Sequence, residues 1–186
     1  MALVLGTNCG FVTTAPTADP AGGGARNIDN DAAVIRSTSP ANAGKITEIG
    51  WWKNTDSEES NFEVGLYDTD GDSGVAGTLL EVSRTNAKGT GTGWVAASVD
   101  WTITANKIYW IGLQVDNTAT SLQIDTQASG GSGYDALGAG QTTLPNPFGG
   151  GTFLTDSNGM IAIYAVVEVS APSGTNTQIN IGDSWK

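Results

Sequence analysis

The sequence predicts an all-β chain folded as a two-sheet antiparallel sandwich, jelly-roll-like, with eight or nine strands and little helix. Three observations carry this. The apolar segments are short and rich in Val, Ile, Thr and aromatic residues, as in AAVIRS from Ala32 or KIYWIGLQV from Lys107. Gly, Asn, Asp, Ser and Pro clusters separate them, which is strand-and-turn punctuation. No segment sustains a 3.6-residue apolar period with caps. Connections too varied for a simple meander favour a sandwich over a closed barrel.

Taken in order, the predicted strands begin with AAVIRS and continue with KITEIGWW from Lys45, NFEVGLY from Asn61 and TLLEVS from Thr78. GWVAASVDWTI from Gly93, KIYWIGLQV, TSLQI from Thr120, MIAIYAVVEV from Met160 and QINI from Gln178 follow. Residues 1–30, with TTAPTADPAGGGARN, read as an N-terminal arm, 31–169 as the sandwich, and 170–186 as a linker with one short strand. Within that tail Ile179, Ile181 and Trp185 are expected to dock on this subunit or a neighbour. The Gly- and Ser-rich passage from Thr126 to Asn158 reads as one long irregular loop, functional or acting as a cover.

The chain has 186 residues, enough for one domain with a core that needs no metal or disulfide to fold. Asp and Glu outnumber Lys and Arg by 19 to 8, a formal charge of −11, and the basic residues form no run. That balance repels phosphate backbones and anionic lipids, so neither nucleic acid nor membrane is an expected partner. Cys9 is the single cysteine and reads as a buried spectator thiol. The opening MALVLGTN has no basic leader and no long apolar run, so no signal peptide is visible.

Strand alternation assigns faces. In successive strands Ile49 and Trp51, Phe62, Val64 and Leu66, and Tyr109, Ile111, Leu113 and Val115 point into the core. Glu48, Gly50 and Trp52, Glu63, Gly65 and Tyr67, and Trp110, Gly112 and Gln114 point outward. The outward set pairs glycine with a large ring three times, and a ring lying over the bare backbone of a neighbouring strand restores the contact a glycine lacks. If the strands are neighbours, Trp52, Tyr67, Trp110 and Gln114 make a flat platform. Either the passage 126–158, with Tyr134, Leu144, Pro145, Pro147, Phe148 and Phe153, folds over it, or the rings stay open to a sugar, a partner subunit or another protein.

The absence of histidine removes Ser-His-Asp and Cys-His arrangements and the commonest zinc ligand. Glu58-Glu59 reads as a solvated turn and GTGTG from Gly89 as a hairpin connection without the lysine of a phosphate loop. No catalytic set emerges, and the chain is not expected to be an enzyme. In DTDGDSG, Asp68, Asp70 and Asp72 alternate and could converge on Ca²⁺, though the glycine and glutamate of an EF-hand are missing at the sixth and twelfth positions. The competing reading is a polar turn with no cofactor.

GTNCGFVTTAPTADP, ITEIGWW, NFEVGLYDTDGDSGVAGTLL, the GW at Gly93 and IYWIGLQVDNT together resemble non-enzymatic β-sandwich domains of tailed-phage and prophage structural proteins and of some surface-anchored bacterial proteins. INIGDSWK is similar to endings of phage virion proteins. The resemblance implies a jelly-roll-like sandwich without catalytic residues, located in a virion assembled in the host cytoplasm. Its expected work is capsid decoration or tail association, through a homo-oligomer and other virion proteins. The alternative function is a carbohydrate-binding module or adhesin that stacks glycans on the aromatic platform.

Overall fold

The computed structural model describes residues 2–20, 24–55, 60–115, 121–125, 135–149, 152–153 and 160–169, with strands 121–125, 135–139 and 152–153 described by their backbone. The described chain is a two-sheet β-sandwich, as the punctuation of the sequence implies. Its strands are β1 (Gly10–Val12), β2 (Gly24–Asn27), β3 (Asp31–Thr38), β4 (Ala43–Thr55), β5 (Asn61–Tyr67), β6 (Leu79–Ala87) and β7 (Gly93–Thr102). Then come β8 (Ile108–Val115), β9 (Ser121–Asp125), β10 (Asp135–Ala139), β11 (Thr152–Phe153), β12 (Met160–Ile161) and β13 (Ile163–Val169). A 3-10 turn at Asp72–Gly74 is the only helical element among the described residues.

The first sheet runs β1-β13-β4-β9-β12, with β7 on β4 and β2 on β9; the second runs β11-β10-β3-β8-β5-β6. β4 is long enough to pair with β13 from Ala43 to Trp51 and then with β9 beyond Trp52. Strand pairs are antiparallel except β1 with β13, which is parallel and matches Gly10 with Tyr164. Near the start of the chain, Gly10–Val12 and Gly24–Asn27 pair into the first sheet as β1 and β2, and Leu3, Cys9 and Ile28 are buried. Likewise the passage 126–158 is not wholly irregular, because β10 and β11 pair within it and β10 adds to β3.

The main core lies between the sheets. Ile49, Trp51, Phe62, Val64, Leu66, Ile111, Leu113 and Val115 are all buried there, the alternate positions that strand parity assigns inward, and Ile35 and Ile46 join them, Ile46 beyond an irregularity in the β4 register. Trp51 meets Phe62 edge to face, with ring centres 5.8 Å apart. Cys9 is fully buried with its Sγ 3.7 Å from the Met160 Sδ.

Candidate functional site

The outer face of the second sheet is laid out by register. Ala32, Gln114 and Glu63 form one row across β3, β8 and β5; Val34, Gly112 and Gly65 form the next; Arg36, Trp110 and Tyr67 form the third. Because Gly65 stands directly opposite Gly112, the middle row is a trough without side chains across β8 and β5, bounded by Val34 on β3. The Tyr67 ring leans into it, 2.8 Å from where a Cβ on Gly112 would sit, and a Leu144 methyl lies 2.8 Å from the corresponding point on Gly65. Here the pairing of glycine with a ring on a neighbouring strand is the arrangement that alternation suggests.

Residues 141–149 form a cap over this face. Ala32, Val34, Tyr67, Val75, Ala76, Trp110, Leu144 and Phe148 pack into a second hydrophobic core, with Phe148 edge-on to Tyr67 at 5.4 Å. Polar ties fix the cap. The Leu144 N–H donates to Glu63 Oε2 at 2.8 Å, the Tyr67 hydroxyl to the Pro145 carbonyl at 3.0 Å, and Gln114 Nε2 to the Gln141 carbonyl at 3.1 Å. The Phe148 N–H reaches the Gly77 carbonyl, and Asn146 Oδ1 accepts from the Leu79 N–H. Glu63 also pairs with Arg84. A buried carboxylate that is both ion-paired and hydrogen-bonded is a tie whose loss strands a charge.

Tyr67, Trp110 and Gln114 are consequently 0% exposed and offer no open platform; covering by the cap removes them from solvent. Nor does Trp52 join them. It belongs to the first sheet, on β4, where its ring is edge-on to Trp94 at 5.4 Å, and Trp94 is edge-on to Tyr164 at 5.2 Å. The Tyr164 ring lies over Gly50, and its hydroxyl donates to Glu48 Oε1 at 2.6 Å. Trp94 Nε1 donates to the Ala18 carbonyl, so the stretch before β2 is tied to the same cluster. Parity could place each ring outward on its own strand but could not say that β4 lies in a different sheet from β5 and β8. Trp52, Tyr67 and Trp110 therefore do not share one face: Trp52 stands in the first sheet, Tyr67 and Trp110 in the second, and all three are buried.

Asp68, Asp70 and Asp72 do not converge. Asp68 Oδ2 receives Lys107 Nζ at 2.7 Å, and both Asp70 oxygens are taken by Thr78, from its N–H at 2.7 Å and its hydroxyl at 2.6 Å. The Thr78 bonds, side chain first, hold the Asp70 carboxyl below its ordinary range. Asp72 opens the 3-10 turn. Among the described residues no three acidic or sulfur ligands gather into a metal-binding group. The segment is a turn tied to Lys107, just before β8, and to Thr78, just before β6. Ile179, Ile181 and Trp185 lie outside the described residues.

Sequence reasoning missed Glu63 as the anchor of the cap, and Trp94 and Tyr164 as the partners of Trp52. For Glu63 the signal is present: it is a carboxylate on the outward parity of a strand whose other outward residues are Gly65 and Tyr67, an apolar surface where a charge needs a reason.

The two sealed phenols have a consequence for pH. Burial, and then the charge of Glu63, push Tyr67 well above the ordinary tyrosine value of 10.0, against a smaller opposing effect of Arg84; burial and the bond to Glu48 do the same for Tyr164. The folded state therefore keeps these phenols neutral after the unfolded chain has begun to ionise. Their contribution to stability is whole below about pH 10 and is lost as pH rises beyond it. In an ultraviolet titration of tyrosinate, Tyr67→Phe and Tyr164→Phe should each remove one late phenol that otherwise ionises only with unfolding. Both phenols titrating near pH 10 in the folded protein would contradict the sealed geometry.

Comparison of the chain with protein-family models, curated proteins and solved structures finds no match.

Proposed function

We propose that the chain is a non-catalytic structural subunit of a tailed-phage or prophage particle, a capsid decoration or tail-associated protein acting by contact with copies of itself and with other virion proteins. The observation that carries this reading is the use to which its polar side chains are put. Glu63 and Gln114 tie the cap to the second sheet, and Asp68 and Asp70 tie the turn after β5. Lys53 Nζ donates to the carbonyls of Lys88 and Gly89, at 2.9 and 2.7 Å, and so ties the stretch between β6 and β7. These groups fasten segments to one another, which suits a rigid building block better than a reaction centre.

The connections support a jelly-roll-like reading. The chain changes sheet from β3 to β4, β4 to β5, β6 to β7, β7 to β8 and β8 to β9, and stays within one sheet at the β5–β6 hairpin. β6, at one rim of the second sheet, carries the exposed Leu80, and β7 pairs with β4 alone among the described strands. Such rims suit contact with a neighbouring subunit. A virion protein of this kind is assembled in the host cytoplasm.

The test is the state of the purified chain. Multi-angle light scattering should show a discrete oligomer, and deletion of residues 170–186, which include Ile179, Ile181 and Trp185, should shift it toward monomer at the same concentration. A monomer both before and after deletion would count against action through self-contact.

A further inference from the structure

At one side seam of the sandwich the two sheets do not close among the described residues. β10 pairs with β3 only as far as Ile35, so Arg36, Ser37 and Thr38 continue with β8 on one side and no strand on the other among the described residues. Facing them is β1, at the rim of the first sheet. At this edge Arg36, Thr38 and Ile108, which share the outer parity of the second sheet, line a cleft of about 480 Å³ together with Leu5, Gly6, Phe11 and Thr13, within the size range of small-molecule sites.

Its lining is mixed. Leu5, Pro40 and Ile108 give an apolar wall; Thr13 and Thr38 place exposed hydroxyl side chains on the rim; Arg36, half-buried, adds the cationic group. The Ser37 hydroxyl accepts from the Phe11 N–H at 3.1 Å and holds the two walls in register.

Arg36 differs from the ion-paired cations among the described residues, and from the exposed Arg26 in being half-buried. Lys45 pairs with Asp100 and Glu168, Lys107 with Asp68 and Arg84 with Glu63, as expected where 19 carboxylates surround 8 cations. The Arg36 guanidinium has no ion pair or hydrogen bond among the described residues, although it is partly withdrawn from water. A guanidinium offers a planar fork matched to a carboxylate. One such fork, without a second cation beside it in the cleft, suits a monoanion; a phosphate dianion would bring more charge than it neutralises into a molecule of net charge −11. The rim hydroxyls suit a ligand that itself carries hydroxyls, and the apolar wall suits the C–H face of a ring.

We propose that this cleft binds a sugar carboxylate, a uronate-type ring whose acid group is held by Arg36. The assignment is independent of the oligomeric reading and of the covered rings Tyr67 and Trp110.

The experiment uses the full chain and three probes: glucuronate, glucose as its neutral counterpart, and inorganic phosphate, each titrated by two-dimensional amide NMR. Glucuronate should move the amides of Thr13, Thr38 and Ile108 in a saturable way, with glucose and phosphate at least about tenfold weaker, a ratio within reach of one charge-assisted pair. Arg36→Gln should weaken glucuronate by a similar factor, with Arg36→Lys in between. Thr38→Trp, which fills the cleft from an exposed rim position, should block binding while Arg36 is intact, and thermal melts of each variant check folding. Equal response to glucose, tighter binding of phosphate, undiminished binding by Arg36→Gln or Thr38→Trp, or no response to glucuronate would each overturn the assignment.

Discussion

Replacing Trp110 with alanine should destabilise the protein by about 3–5 kcal/mol, the cost of emptying a large aromatic site in a packed core. For a chain of 186 residues that is a fall in melting temperature of roughly 6–20 °C. The reason is the second core. Trp110 is fully buried beside Tyr67, Val34 and the cap residues Leu144 and Phe148, so its removal leaves a cavity that the cap must collapse into or leave empty. A ring held outward as a sugar platform would cost under about 0.5 kcal/mol, as surface substitutions do. Denaturant unfolding separates the two by a wide margin, and an unchanged midpoint would refute the covered face.

The second large effect is expected at Gly50. A Cβ there would lie 2.4 Å from the Cζ and Oη of Tyr164, inside any tolerable contact. The ring has little room to give, since it is 2% exposed, edge-on to Trp94 and hydrogen-bonded to Glu48. Gly50→Ala should therefore cost about 1–3 kcal/mol by overpacking, although alanine is otherwise the better strand residue. The cause is tested by a double-mutant cycle. In a Tyr164→Ala background the same substitution should cost less than about 0.5 kcal/mol, because the obstructing ring is gone. Equal costs in both backgrounds would place the strain in the backbone instead.

Much of the fold can be read along the chain. NFEVGLY coincides with β5, and the alternation that sends Phe62, Val64 and Leu66 inward recurs in the buried positions of β8. β1, β2, β10 and β11 escape such reading because they are short, and GARN and DALGA contain no β-branched or aromatic residue; all four owe their strand character to the partner they pair with. The same limit applies to the ring cluster. That Tyr67 and Trp110 leave the main core follows from parity, whereas Trp52 packs into it; that Trp52 meets Trp94, and Trp94 meets Tyr164, while Tyr67 meets Phe148 depends on which strands are neighbours.

The amino-acid sequence alone settled the all-β class, most strand positions and which face of each central strand is apolar, since these depend on local propensity and on a period of two residues. Only the tertiary structure decided that the outward glycines and rings belong to two sheets, that residues 141–149 close over one of them, and that Arg36 lines a cleft with no carboxylate partner among the described residues. Each of those facts is a contact between residues far apart in the chain, and neither periodicity nor turn chemistry encodes which distant segment arrives at a given face.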